Sequence, residues 1–519
     1  MKEKFIHDLT ARYNYNGEKI MLGKAMLDGN VVSEVEIAVP LKMINRHGLI
    51  AGATGTGKTK TLQVLAEQLS FKGVPTLLMD IKGDLSGIAK AGDPNNPKIL
   101  ERYEKLGLTY KAQGFPVELL TISKEKGVRL RATVTEFGPI LLSKILELND
   151  VQTSIMSILF KYCDDKKLPL IDLDDLRKVL QFVTDNEQGK SELSQNYGSI
   201  APSSLGAILR KIVSLEQQGA ARFFGEPSFN TDDLLEVRDG MGVVNIIRLQ
   251  DIQNQPQFFS TFMLSLLSEI YQTFPEVGDL DKPKLAIFID EAHLIFNEAS
   301  KALLNQIEIM VKLIRSKGIG LYFCTQVPGD VPEGILSQLG LKIQHALRGF
   351  TAKDKKEINK AIENYPSTNY YQANELIQQL GIGEAFITSL DEKGIPTPLA
   401  DTFMISPSSR MDVLTSDEIY EIVNNSDLVK KYAEDINKES AYEILSERMN
   451  SVSEQKNSEN LKTEVNKKEN TKKQESEPSL FEKVMNSPFV RDIGRTFVRE
   501  GSKMFFGALG VKKNARRRK

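Results

Sequence analysis

Long apolar runs are missing from this 519-residue chain. None approaches the roughly 20 residues that a helix needs to cross a bilayer, which excludes integral membrane association through helical spans. The opening stretch, Met1-Lys2-Glu3-Lys4-Phe5-Ile6-His7-Asp8, mixes charge signs and no apolar block follows. A secretory signal is therefore not expected, and a cytoplasmic location is. Cysteine is nearly absent too. Cys163 and Cys324 stand far apart without metal-ligand spacing around them, which excludes a disulfide framework and leaves two small buried apolar residues in a reducing compartment. Net charge is almost nil at −2, but it hides an asymmetry. Six positive charges fall within the last eight residues, Lys512-Lys513-Asn514-Ala515-Arg516-Arg517-Arg518-Lys519, so the remainder is acidic. An acidic body argues against a surface coated for nucleic acid, though a locally basic channel remains compatible with it.

What is present is sharper. Gly52-Ala53-Thr54-Gly55-Thr56-Gly57-Lys58-Thr59 is a complete phosphate-binding loop, preceded by the short apolar strand Arg46-His47-Gly48-Leu49-Ile50-Ala51 and followed by an amphipathic helix from Leu62 to Leu69. Glycines let the loop curl so that successive N–H groups point inward where a Cβ would obstruct them, and the helix start adds its positive dipole end. Lys58 would reach the β- and γ-phosphates and the Thr59 hydroxyl would be a magnesium ligand, which makes ATP and Mg2+ the expected cofactors.

The coarse pattern is α/β. Buried-strand runs at Val74 to Asp80, Val117 to Ile122, Gly242 to Leu249, Leu285 to Asp290, Gly320 to Thr325, Lys342 to Leu347 and Glu384 to Leu390 alternate with helices. That alternation implies a mostly parallel sheet. Residues 1–45 read as a short β-rich N-terminal segment; 46–137 and 238–405 as the nucleotide-binding core; 138–237 as a helical insertion; and 406–451 as C-terminal helices. Residues 452–478 are almost free of aliphatics and read as a disordered linker, and 479–519 as a basic amphipathic helix and tail that docks on the body, a partner or an anionic membrane surface.

A second nucleotide motif stands at Lys284-Leu285-Ala286-Ile287-Phe288-Ile289-Asp290-Glu291-Ala292-His293. A continuous apolar strand suits the middle of a sheet covered on both faces, with the acidic pair at its carboxyl end. Asp290 would hold magnesium and Glu291 would polarise the attacking water. An Asp-Glu pair can also cap a helix, and His293 reads better as a contact of neighbouring groups than as a titrating one. Gln326, ending the next strand, is either a sensor of the γ-phosphate or a turn-capping amide before Val327-Pro328-Gly329-Asp330. Arg315, in Lys312-Leu313-Ile314-Arg315-Ser316-Lys317-Gly318, either compensates a helix dipole before a C-cap glycine or projects into a neighbour's site as an arginine finger. Asp80 and Lys82 end the strand after the phosphate loop, where Asp80 bears on magnesium or water or else shapes the Gly83-Asp84 turn. The guanine-reading Asn/Thr-Lys-x-Asp pattern is absent: Lys82-Gly83-Asp84 follows Ile81.

Four segments in this order carry a resemblance: Asn45 to Ile50 with the loop, Asp80-Ile81-Lys82-Gly83-Asp84-Leu85-Ser86-Gly87, Asp290-Glu291-Ala292-His293, and Thr325-Gln326-Val327-Pro328. Over residues 20–405 the chain resembles the HerA-like ATPases, and most closely the bacterial helicase HerA-like branch of the HerA/FtsK group of DNA motors. The resemblance implies a RecA-like core with an additional strand, a homo-hexameric ring, ATP-driven translocation on duplex DNA, and Arg315 as the trans finger. It also implies Arg348 as a second subunit-edge arginine. Archaeal members dock a nuclease through an amino-terminal β-barrel, for which segment 1–45 is too short, so the resemblance does not extend to a nuclease partner. Two other functions stand beside the motor: a ring-forming ATPase that regulates or scaffolds a protein effector, and a nucleotide-gated protein that binds DNA, RNA or a membrane through its basic tail.

Overall fold

Fourteen strands carry the architecture of the computed structural model, which describes residues 1–451 apart from 279, 299–300, 350, 435 and 437–438. The linker expected over 452–478 and the basic helix and tail over 479–519 lie outside the described residues. The elements below belong to the compact unit Met1–Ser446.

The strands are β1 (Lys19–Leu27), β2 (Asn30–Pro40), β3 (Gly48–Ala51), β4 (Thr76–Asp80), β5 (Val117–Thr121), β6 (Val128–Arg129), β7 (Val237–Arg238), β8 (Met241–Gly242), β9 (Val244–Arg248), β10 (Leu285–Ile289), β11 (Ile319–Thr325), β12 (Leu341–Gln344), β13 (Glu384–Thr388) and β14 (Ala400–Met404). Apart from the small hairpin β7-β8, they form one 12-stranded sheet in the order β2-β1-β14-β13-β12-β3-β11-β10-β4-β9-β5-β6. From β12 to β6 every pairing is parallel, whereas β13, β14, β1 and β2 add an antiparallel wing. The fold is thus α/β with a mostly parallel sheet, as the strand pattern implies, in keeping with the RecA-like core with added strands that the resemblance implies.

Register aligns the functional strand ends. Ala51 lies opposite Thr325 on one side and Gln344 on the other, Ile289 opposite Phe323 and Met79, and Asp80 opposite Arg248. Parallel strands in this register deliver the phosphate loop, Gln326, Asp290 and Ile81 to one rim. All five residues of β10 are buried, consistent with a strand covered on both faces.

The helix after the phosphate loop, Lys58–Phe71, buries Leu62, Leu65, Ala66 and Leu69 in the same cluster as Ile50, Leu78, Phe288 and Ile246. Each such leucine contributes about 2 kcal/mol of burial free energy. Phe288 and Tyr322 stack at 4.7 Å, and the Tyr322 ring explains Gly48: a Cβ there would stand 2.5 Å from the ring. Within the segment read as β-rich, Lys2–Tyr13 is a helix. Its buried residues Phe5, Leu9 and Tyr13 recur every four positions, a helical rather than a strand period. Between β6 and β9 run the helices Val134–Ile145, Asp150–Lys166, Leu173–Asp185, Glu187–Tyr197 and Pro202–Gln217. Reciprocal capping boxes at Thr133/Glu136, Asn149/Gln152 and Asp172/Asp175 start the first three, and Pro202 opens the fifth.

Candidate active site

The phosphate loop turns on backbone that side chains avoid. Gly52, Gly55 and Gly57 have φ of 154°, 77° and 115°, the left-handed region that glycine enters at least cost. Loop position is set from beneath. Gly52 N donates to Gln326 O at 3.1 Å and Ala53 N to Ala346 O at 2.8 Å, while the Thr56 hydroxyl closes the loop on Ala53 O at 2.7 Å. Thr54 and Gly55 are exposed at the tip, and Thr59 is half-buried on the first helical turn. Lys58 is buried, and its ammonium donates to Ala53 O at 3.1 Å. Burial lowers its pKa, and the charge of Lys82 adds to that.

Two strands away, Asp290 and Glu291 leave β10 beside this loop. Asp290 is 1% exposed, and its Oδ2 has no hydrogen-bond partner. Burial pushes its pKa up to about 6, with the Glu291 charge adding and Lys82 opposing. Glu291 has left-handed backbone at φ 46°, uncommon for a residue with a Cβ. Its Oε1 accepts from the Lys82 ammonium. Its Oε2 lies 3.1 Å from His293 Nδ1 without hydrogen-bond alignment. His293 is therefore a neighbour of the carboxylate, in keeping with the contact reading.

The remaining residues separate. Gln326 is exposed at the rim next to the loop, and the turn that follows is capped by Asp330 instead: its Oδ2 accepts from Thr325 Oγ1 at 2.5 Å and Val327 N at 3.2 Å. The Asp80 carboxylate is occupied by its own turn, accepting Gly83 N at 2.6 Å, Asp84 N at 3.2 Å and Leu85 N at 3.1 Å. Burial, opposed by these N–H groups, raises its pKa to about 7. Arg315 is not brought to this rim. It opens the 3-10 turn Arg315–Lys317 before Gly318 (φ 77°) and the amino end of β11, so the seven residues of that strand, roughly 20 Å, separate it from the loop of its own chain. Arg348 follows β12 and donates to the carbonyls of Gln378 and Leu380, the latter at 3.0 Å.

Four contributors carry no local motif. His345 is fully buried behind the loop, with Nε2 2.9 Å from Thr61 Oγ1 and Nδ1 2.9 Å from Glu384 O; burial brings its pKa down to about 4. Glu67, on the loop's helix, accepts Ser408 N at 2.7 Å and Ser409 N at 3.1 Å, and burial pushes its pKa up to about 7. Gly383 N donates to Thr56 O at 3.0 Å, and Arg102 bonds the carbonyls of Ile382, Gly383 and Met404. Only the position of His345, one residue past the strand beside β3, offered a signal in the sequence.

A family model described as helicase HerA-like C-terminal matches residues 26–514. The chain belongs to this family. Among HerA-like relatives, the DNA double-strand break repair helicase HerA of Sulfolobus acidocaldarius is 20% identical over 359 residues, covering 68% of this chain and 64% of that protein. The DNA import protein CedB of the same organism is 23% identical over 362 residues, covering 69% and 52%. The chain thus spans less than two thirds of the length of these relatives. Among solved structures, the plasmid coupling protein TrwB in complex with ADP and Mg2+ shares the fold at a TM-score of 0.50 and 14% identity, over 78% of this chain and 100% of that one.

Proposed function

We propose that this HerA-like chain hydrolyses Mg-ATP and, as a ring of six copies, couples hydrolysis to movement along duplex DNA. The observation that carries the reading is the single rim on which the Gly52–Thr59 loop, Asp290 and Glu291 converge. The N–H groups of Gly52 and Ala53 anchor the loop on Gln326 O and Ala346 O, those further along it, toward Thr59, bind the phosphates, and Lys58 moves from Ala53 O to the β- and γ-oxygens.

Magnesium suits the donors present. The partnerless Oδ2 of Asp290 is a buried oxygen suited to a cation, and Thr59 stands half-buried on the first turn of the helix that follows the loop. Among the described residues no group of three or more His, Cys, Asp or Glu is placed to hold a metal by itself, in keeping with an ion that shares its shell with phosphate oxygens and water. Bound there, it supplies positive charge against the phosphate oxygens. Glu291 orients and polarises the attacking water, Gln326 reports the γ-phosphate, and Arg315 completes the site of the neighbouring copy. Arg348 is a second candidate at the subunit edge.

The DNA substrate rests on relatives whose names specify DNA repair and DNA import. ATPase rates with and without duplex DNA test it, alongside the native mass of the same sample. The motor predicts a several-fold stimulation that fades with added salt. A flat response with a co-purifying stoichiometric protein would favour the effector-regulating ring instead.

A further inference from the structure

The Asp80 turn fixes one lysine beside the carboxylate read above as the water-activating group. Gln250 Nε2 donates to Lys82 O at 3.0 Å and Gln253 Nε2 to Ile81 O at 2.5 Å, while Asp80 gathers the three N–H groups that follow. The Lys82 backbone is thereby held from both sides, yet its side chain remains 39% exposed. Its ammonium bonds Glu291 and feels Asp290 and Asp84; burial works against its charge, but these anions outweigh the penalty and raise its pKa. Lys58 and Lys82 also sense each other's charge. The two ammonium groups thus share their surroundings with the carboxylates of Glu291 and Asp290, and a phosphate oxygen would compete with those carboxylates for them.

Glu291 supplies the second, independent observation. Its backbone is left-handed, and apart from Lys82 its carboxylate lacks an aligned partner. A strained residue whose side chain hangs on a single ion pair is suited to two positions. Lys82 is 39% exposed and Glu291 only 7%, so the ammonium is the mobile partner, and the buried carboxylate it leaves must be met by another group such as water.

We propose that Lys82 is a hand-over residue: it restrains Glu291 through the ion pair and passes to an oxygen of the terminal phosphate when a triphosphate binds, releasing the carboxylate for water. A diphosphate offers no such oxygen, so Lys82 discriminates triphosphate from diphosphate. The proposal rests on the reading of this rim as an ATP site with Glu291 as base. Glu291 and the γ-phosphate then compete for one ammonium, which fixes the sign of their coupling.

The test is equilibrium titration of the full chain with the β,γ-imido analogue of ATP and, separately, with ADP. Lys82→Ala should weaken the analogue about tenfold and leave ADP within about twofold, and Lys82→Arg should restore most of the loss. Glu291→Gln should tighten the analogue several-fold by removing the competitor, and that gain should vanish in the Lys82→Ala/Glu291→Gln double variant. Equal losses for both nucleotides, no loss for either, or a gain that persists in the double variant would overturn the hand-over. Lys82→Met, which keeps the side-chain stem, replaces Lys82→Ala if thermal melting shows that the alanine variant is unfolded. Wild-type protein that binds neither nucleotide would overturn the ATP-site reading itself, an outcome distinct from normal binding that is indifferent to Lys82.

Discussion

The two rims of the parallel sheet face the same physical demands and meet them differently. Each carries a non-glycine residue in the left-handed region, His47 at φ 61° before β3 and Glu291 at φ 46° after β10. At the amino rim both ring nitrogens of His47 are spoken for. Nδ1 accepts Leu321 N at 3.0 Å, so Nε2 carries the proton and donates to Val311 O at 2.9 Å. Nearby, the Tyr322 hydroxyl donates to Ile44 O at 2.7 Å, although Asn45 Oδ1 lacks a partner. At the carboxyl rim Asp290 Oδ2, Glu291 Oε2, His293 Nδ1 and Asp84 Oδ1 are all buried without hydrogen bonds. Unmet buried polar atoms cost on the order of 1–3 kcal/mol each, so a cluster of them on one rim marks a site prepared for a ligand, whereas a strained residue with its bonds complete marks a structural joint.

Substitutions can break that contrast, and the largest effect is expected from the residue that crosses it. Arg315 lies on the amino rim, yet Arg315→Ala should lower kcat about 1000-fold, with nucleotide binding and assembly retained, if it serves a neighbouring copy. Adding Lys58→Ala protein, which keeps Arg315, should restore part of the rate through mixed assemblies. Unfolding on its removal, seen as a lowered Tm, would instead return Arg315 to helix capping. Next comes Glu291→Gln, for which a fall of about 100-fold or more in hydrolysis with tight ATP binding is expected, measured by phosphate release and nucleotide titration. Unchanged turnover would remove the carboxyl rim from the chemistry.

The smallest effect concerns the amino rim alone. Burial lowers the His47 pKa to about 4 from the ordinary 6.5, with the Val311 bond opposing and Arg315 and Arg46 adding. The unfolded chain therefore binds the proton first, so the neutral ring's stabilisation is complete above about pH 6.5 and is lost as pH falls toward 4. That loss is on the order of 2–3 kcal/mol. Denaturant titrations at pH 7 and pH 4.5 should show a steeper decline for wild type than for His47→Gln; parallel declines would mean that His47 is not held neutral.

What could be read beforehand follows from how locally each feature is encoded. The loop, the Asp290-Glu291 strand end and the alternation that dictates a parallel sheet are written in consecutive residues; the family match agrees with the HerA-like resemblance and the strand order with the mostly parallel sheet. The helix Lys2–Tyr13 is equally local, but the strand-like runs next to it mask its four-residue period. The Glu67 clasp on Ser408 and Ser409 joins residues more than 300 positions apart, and the Lys82 grip on Glu291 joins turns from different strands. No spacing rule reaches such pairs, because they exist only once distant elements are placed together, as the register of β4 against β10 does for Lys82 and Glu291.

The seven-residue β11 also has a consequence for symmetry. A two-fold dimer applies the same patch of each subunit to the other. If the arginine at one end of β11 completes a phosphate site at the other end of a neighbour's sheet, donor and acceptor patches are different surfaces, and the contact must be head-to-tail. Such contacts repeat with a fixed rotation, closing into a cycle or running on as a helical filament. An isolated pair would always leave one phosphate site without its arginine and one arginine without a site.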